Sequence, residues 1–191
     1  MNDNQKFIWQ SLYTWWAKES LNLISNSYGS NFGFDTYSSA TAKTINFGFF
    51  TENSSIGAWT VPYSSDGGKT AVNLGMAVNL TNYIGLNTSK NSNGLSTKYG
   101  YSDMYLDRTL AHEFTHAVMM ANINYFNDLP HVILEGIAEL THGADDERKY
   151  ELQGLAGNYS SLKSALKLTG DDYYGYAGGY AIKNNKNVKI Y

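Results

Sequence analysis

Apolar and polar positions divide the chain into three kinds of pattern. Residues from about Lys6 to Ser25 carry Ile8, Leu12, Trp15 and Trp16 at helical spacing, with Gly29 as a stop, which predicts an N-terminal helix. From Asn31 to Leu80 the period shortens to β-like runs, Phe32–Tyr37, Thr44–Phe50, Ile56–Val61 and Thr70–Leu80. Turn signals such as Ser65-Asp66-Gly67-Gly68 separate them, so a small twisted sheet is expected. Asn82 to Tyr101, rich in Asn, Ser, Gly and Thr, reads as a loop. Helical spacing then returns. Leu110, Phe114, Ala117, Val118 and Ala121 form one apolar stripe at roughly 100° per residue. A second helix follows the start signals Asp128 and Pro130, with Ile133, Ile137 and Leu140 on its apolar face. A third is expected around Tyr150–Leu168, on Leu152, Leu155, Leu162 and Leu166.

The fold class these elements predict is α+β: an N-terminal helix and sheet over about 1–104, then an active-site helix and a helical C-terminal part over about 105–191. At 191 residues one domain is the simplest expectation, because neither part holds a complete site.

Candidate chemistry lies on the first of the later helices, in His112-Glu113-Phe114-Thr115-His116. This is H-E-x-x-H. Residues four apart share a helix face, so both imidazoles can reach one metal ion, and Glu113 beside them can take a proton from the attacking water. A hydrolytic zinc site needs a third protein ligand and keeps its fourth position open. Glu135 on the second helix can supply it, and Glu139, one turn on, can accept a hydrogen bond from a ligand histidine. With four histidines in the chain, a chance H-E-x-x-H arises on the order of a few times per thousand such sequences. All four (His112, His116, His131 and His142) fall within one stretch. His131 and His142 read more simply as polar residues at helix ends.

Composition narrows the alternatives. A net charge of −3 offers no basic footprint for nucleic acid or an anionic membrane. No apolar run approaches a transmembrane length, and the first residues do not read as a secretory signal. With no cysteine, only histidine and carboxylate remain as metal ligands. The surplus of Asn, Ser, Gly and Tyr over Lys and Glu suits a secreted bacterial surface protein.

H-E-x-x-H followed by a glutamate on a second helix resembles the gluzincin arrangement of zinc metallopeptidases, which includes thermolysin-like enzymes and clostridial collagenases. The longer string from Tyr105 to Arg148, with Tyr105-Leu-Asp-Arg-Thr-Leu-Ala ahead of the motif and Glu135-Gly-Ile-Ala-Glu-Leu-Thr-His-Gly-Ala-Asp-Asp-Glu-Arg after it, is similar to flagellinolysin, a metallopeptidase domain inserted in some bacterial flagellins. His131-Val132-Ile133 departs from it, where relatives tend to carry a larger aromatic segment. The resemblance implies zinc held by His112, His116 and Glu135, with Glu113 as general base. It implies an endopeptidase acting on protein or peptide, flagellin among the substrates, in an extracellular setting on a flagellar filament. It also points to a downstream tyrosine as oxyanion donor, Tyr180 first and Tyr176 second. An exposed edge strand would grip extended substrate, and Gly75–Asn79, with Ala77 and Asn79, is the stretch expected to do so. Two other readings stay open. One is a zinc aminopeptidase, although no acidic motif is evident to hold a free amine. The other is a structural surface domain with a vestigial metal site, in which Glu113 would have no role.

Overall fold

A computed structural model describes residues 1–34, 42, 44–67, 69–83, 86, 105–143, 149–156, 158, 160 and 163. The chain forms two compact units, Met1–Asn127 and Asp128–Tyr191, each mixed or helical in content and together α+β. The division falls after the helix that carries His112 and His116, whereas the sequence pattern has the two parts of one domain meet ahead of that helix, near residue 104.

The first unit opens with α1 (Asp3–Ser11), a π-helical turn (Leu12–Trp16) and α2 (Ala17–Tyr28), which follow one another without a break. A capping box starts α1: the Asn2 side chain accepts from the Gln5 N–H at 2.9 Å, and the Gln5 side chain accepts from the Asn2 N–H at 2.8 Å. Gly29, at φ 93°, ends α2, as the sequence predicts. The π-turn changes which tryptophan is inside. In an uninterrupted α-helix at about 100° per residue, Trp15 lies seven residues beyond Ile8, about 20° off the same face. One extra residue in the turn moves Trp16 into that position. The buried face is accordingly Ile8, Ser11, Trp16, Ser20 and Ile24, and Trp15 is 46% exposed. The spacing of Ile8, Leu12, Trp15 and Trp16 would put both tryptophans on the Ile8 face, and the π-turn leaves only Trp16 there.

Three strands form one sheet: β1 (Ile45–Phe50), β2 (Ala58–Tyr63) and β3 (Asn73–Asn79), in the order β1-β3-β2. β1 pairs with β3 in parallel and β2 pairs with β3 antiparallel. Residues 32–34, the start of the first expected β run, are not strand, and the rest of that run lies outside the described residues. The expectation of an exposed edge at Gly75–Asn79 is overturned: β3 is the central strand. Its residues Leu74 to Asn79 are all buried, the mark of a strand covered on both faces. Among the described residues the sheet's two edges are β1 and β2. Leu74, Met76 and Val78 turn one way, in register with Ile45, Phe47 and Phe49 on β1. The Trp9 ring of α1 lies 5.7 Å from that of Phe47. On the other face Gly75 leaves room for the Tyr63 ring of β2, whose nearest atoms would stand 3.0 Å from an added Cβ.

Helix α3 (Leu106–Asn122) packs against α2 and β2, which is why it belongs to this unit. The second unit contains α4 (His131–His142) and α5 (Lys149–Ala156). Pro130, extended at φ −56° and ψ 135°, leads into α4 with no side-chain cap. The face of α4 expected to be apolar is only partly covered, since Ile133 is 40% exposed; Val132, Gly136 and Glu139 are buried instead. Leu152 packs on Leu155 in α5. Leu162 and Leu166 of the expected third helix lie outside the described residues. Among the described residues, no helix is long and apolar enough to cross a membrane.

Candidate metal centre

α3 is sheathed on almost every side. Twelve of its seventeen residues are buried, including Glu113, Thr115 and His116, and His112 is partly buried. Asp107 in the first turn complements the helix dipole, and burial raises its carboxyl pKa. The buried Thr115 hydroxyl donates to the Ala111 carbonyl at 2.8 Å.

His112 and His116, one turn apart, bring their Nε2 atoms to 3.0 Å. Their rings stand edge to face, with centroids 4.7 Å apart. Two nitrogens bound to one tetrahedral zinc at about 2.05 Å would lie about 3.3 Å apart. The observed convergence is thus close to what a shared ion requires. The Phe126 ring lies 6.1 Å from that of His116 and helps to bury it. Glu113 is 7% exposed on the same helix, and its main-chain carbonyl accepts a hydrogen bond from Thr60 Oγ1 of β2 at 3.2 Å.

The two glutamates of α4 each meet a histidine of their own helix. His131 Nε2 is 3.6 Å from Glu135 Oε1, at i,i+4. His142 Nε2 is 3.5 Å from Glu139 Oε2, at i,i+3, with side chains only 3% and 1% exposed. Such contacts fix carboxylate orientation. Sequence reasoning assigned His131 and His142 no such part, although the helical spacing of each pair was visible. Glu139 is thus placed against His142, a neighbour not foreseen for it.

Of the residues expected to hold substrate, Ala77 and Asn79 are buried in the central strand. Asn79 is fully occupied within the protein. Its side-chain nitrogen donates to the carbonyls of Glu52 (3.1 Å) and Ile56 (2.9 Å), and its oxygen accepts from the Glu52 and Thr81 N–H groups. It organises the 52–56 turn and has no free group for a peptide. Tyr176 and Tyr180, the expected oxyanion donors, lie outside the described residues.

No family model, curated protein or solved structure matches the chain. Imidazole and carboxylate, with no cysteine in the chain, suit zinc and other borderline divalent metals.

Proposed function

We propose that this chain is a zinc-dependent endopeptidase of gluzincin type. The observation that carries the reading is the convergence of the His112 and His116 Nε2 atoms to 3.0 Å, with a buried Glu113 on the same helix. His112 and His116 would be two of the ligands, and the sequence pattern assigns Glu135 as the third. Zinc, when bound, supplies Lewis-acid polarisation of the scissile carbonyl and the attacking water. Glu113 takes the proton from that water and passes it to the leaving amine. A general base beside two metal-binding histidines has no purpose in a vestigial structural site, so the presence of Glu113 in the motif disfavours that alternative.

Substrate enters as an extended segment along β2, which replaces Gly75–Asn79 in this role. β2 is an edge strand among the described residues, it packs on α3, and it runs antiparallel to β3. Main-chain hydrogen bonds at such an edge grip any extended peptide. Protein substrates, flagellin foremost, follow from the resemblance of the Tyr105–Arg148 string.

The test is metal content with peptide cleavage. The purified chain should bind about one zinc. Glu113→Gln should keep that zinc and lose at least about a hundredfold in rate, the usual scale for a general base. Glu135→Ala should weaken zinc binding. Full activity in Glu113→Gln would refute the mechanism, and unchanged zinc affinity in Glu135→Ala would remove Glu135 from the ligands. An amino-terminally blocked peptide should be cut as readily as its free-amine counterpart; cleavage of the free form alone would make the enzyme an aminopeptidase.

A further inference from the structure

Thr60 occupies a double position on β2. The Gly57 carbonyl accepts from the Asn79 N–H at 2.8 Å, so Gly57 turns its main-chain groups toward β3. The register runs Ala58↔Val78, Trp59↔Ala77, Thr60↔Met76 and Val61↔Gly75. Main-chain groups alternate along an antiparallel strand, so Trp59 and Val61 also face β3. Ala58 and Thr60 therefore direct N–H and C=O toward the outer edge. Pro62, next in that series, has no N–H to offer. The side chain of Thr60 meanwhile donates to the Glu113 carbonyl at 3.2 Å. A single residue thus carries the last complete pair of outward main-chain groups and a direct bond to the residue proposed as general base.

We infer that Thr60 is the positioning residue that sets the register between an extended substrate on β2 and Glu113. This rests on the endopeptidase reading and adds to it. A strand rises about 3.3 Å per residue. A substrate bound one residue out of register would carry its scissile bond well beyond the reach of the Glu113 carboxylate, and a misplacement of about 1 Å alone can cost a hundredfold. The Thr60 hydroxyl fixes the strand to the helix at the point where that spacing is decided. Thr60 touches no reacting atom, so its removal should change where and how fast bonds are cut, more than how tightly peptide binds.

The experiment compares Thr60→Val, which keeps shape and loses the hydroxyl, with Thr60→Ser, which keeps the hydroxyl. Both are assayed as the full zinc-loaded chain, on a blocked fluorescence-quenched peptide of about ten residues and on unfolded casein. Thr60→Val should lower kcat by about ten- to a hundredfold with KM within about twofold. Its casein products, mapped by mass spectrometry, should spread to neighbouring bonds. Zinc content and unfolding midpoint should match the wild type. Thr60→Ser should recover most of the lost rate and the original cleavage positions. A Thr60→Val enzyme with wild-type kcat and cleavage map overturns the inference, as does a change confined to KM or a Thr60→Ser variant impaired as badly as Thr60→Val. Glu113→Gln, run alongside, separates the two levels. If it is inactive while Thr60→Val is unaffected, only the role of Thr60 falls. If Glu113→Gln is active, or the wild type cuts neither substrate, the endopeptidase reading falls and takes this inference with it.

Discussion

Replacing each of the two adjacent tryptophans tests the π-turn directly. Trp16 is 1% exposed, with the Phe7 ring edge-on at 5.9 Å and the Trp15 ring at 5.6 Å. A buried tryptophan removes about 200 Å² or more from water. At about 25 cal/mol per Å² that is about 5 kcal/mol of transfer free energy. Measured costs of Trp→Ala in cores are about 3–5 kcal/mol. Trp16→Ala should therefore cost about 4 kcal/mol, a large share of a domain's stability. Trp15 is 46% exposed and leaves no closed cavity when truncated, so Trp15→Ala should cost about 1 kcal/mol. Trp16→Phe is a finer probe. The Trp16 indole nitrogen is buried without a hydrogen-bond partner. Phenylalanine loses contact area but removes a donor whose burial costs about 1–3 kcal/mol, so the net loss should be below about 2 kcal/mol. Urea unfolding followed by far-UV circular dichroism reads all three. Equal losses at Trp15 and Trp16, or a larger one at Trp15, would mean that the helix runs as uninterrupted α and that the extra residue is absent.

Two further outcomes concern polar groups. Asn79→Ala leaves three main-chain groups of Glu52 and Thr81 without their side-chain partner, in part-buried surroundings, while the Ile56 carbonyl keeps the Asn82 side chain. The expected loss is about 2–4 kcal/mol by urea unfolding, and a loss under about 0.5 kcal/mol would show that the 52–56 turn does not depend on it. The exposed Asp66 carboxyl is lowered from 3.8 to about 2, first by the Ser64 hydroxyl and then by the Thr70 and Lys69 N–H groups. Because the folded value is the lower one, whatever the turn contributes is present above about 4 and is lost as the pH falls through about 2. A carboxyl titration by NMR should place the Asp66 midpoint near 2, and a midpoint near 3.8 would mean that the turn is not formed.

The sequence by itself determined most of the described elements and named the candidate residues. Helical period placed α3 and α4, and short β-like runs set off by turn signals placed β1, β2 and β3 to within a few residues, because both signals are local. H-E-x-x-H put two imidazoles on one helix face for the same reason. The glutamates of α4 were legible as candidates from their spacing, although the histidines that touch them were not given that part.

Non-local arrangement was decided only by the tertiary structure. Strand order cannot be read from strand identity: β3, last of the three, inserts between β1 and β2, so the stretch expected at the edge is buried and, among the described residues, β2 lies at an edge instead. Its run Leu74 to Val78, apolar apart from a glycine, is what a strand covered on both faces requires, yet such a run says nothing of which strands lie beside it. A single inserted residue in the π-turn exchanged two neighbouring tryptophans between core and surface, and no periodicity summed over the helix marks where such an insertion falls. The bond from Thr60 to the Glu113 carbonyl joins residues 53 apart in sequence. It exists only because strand and helix pack together, and neither residue's type or spacing announces it.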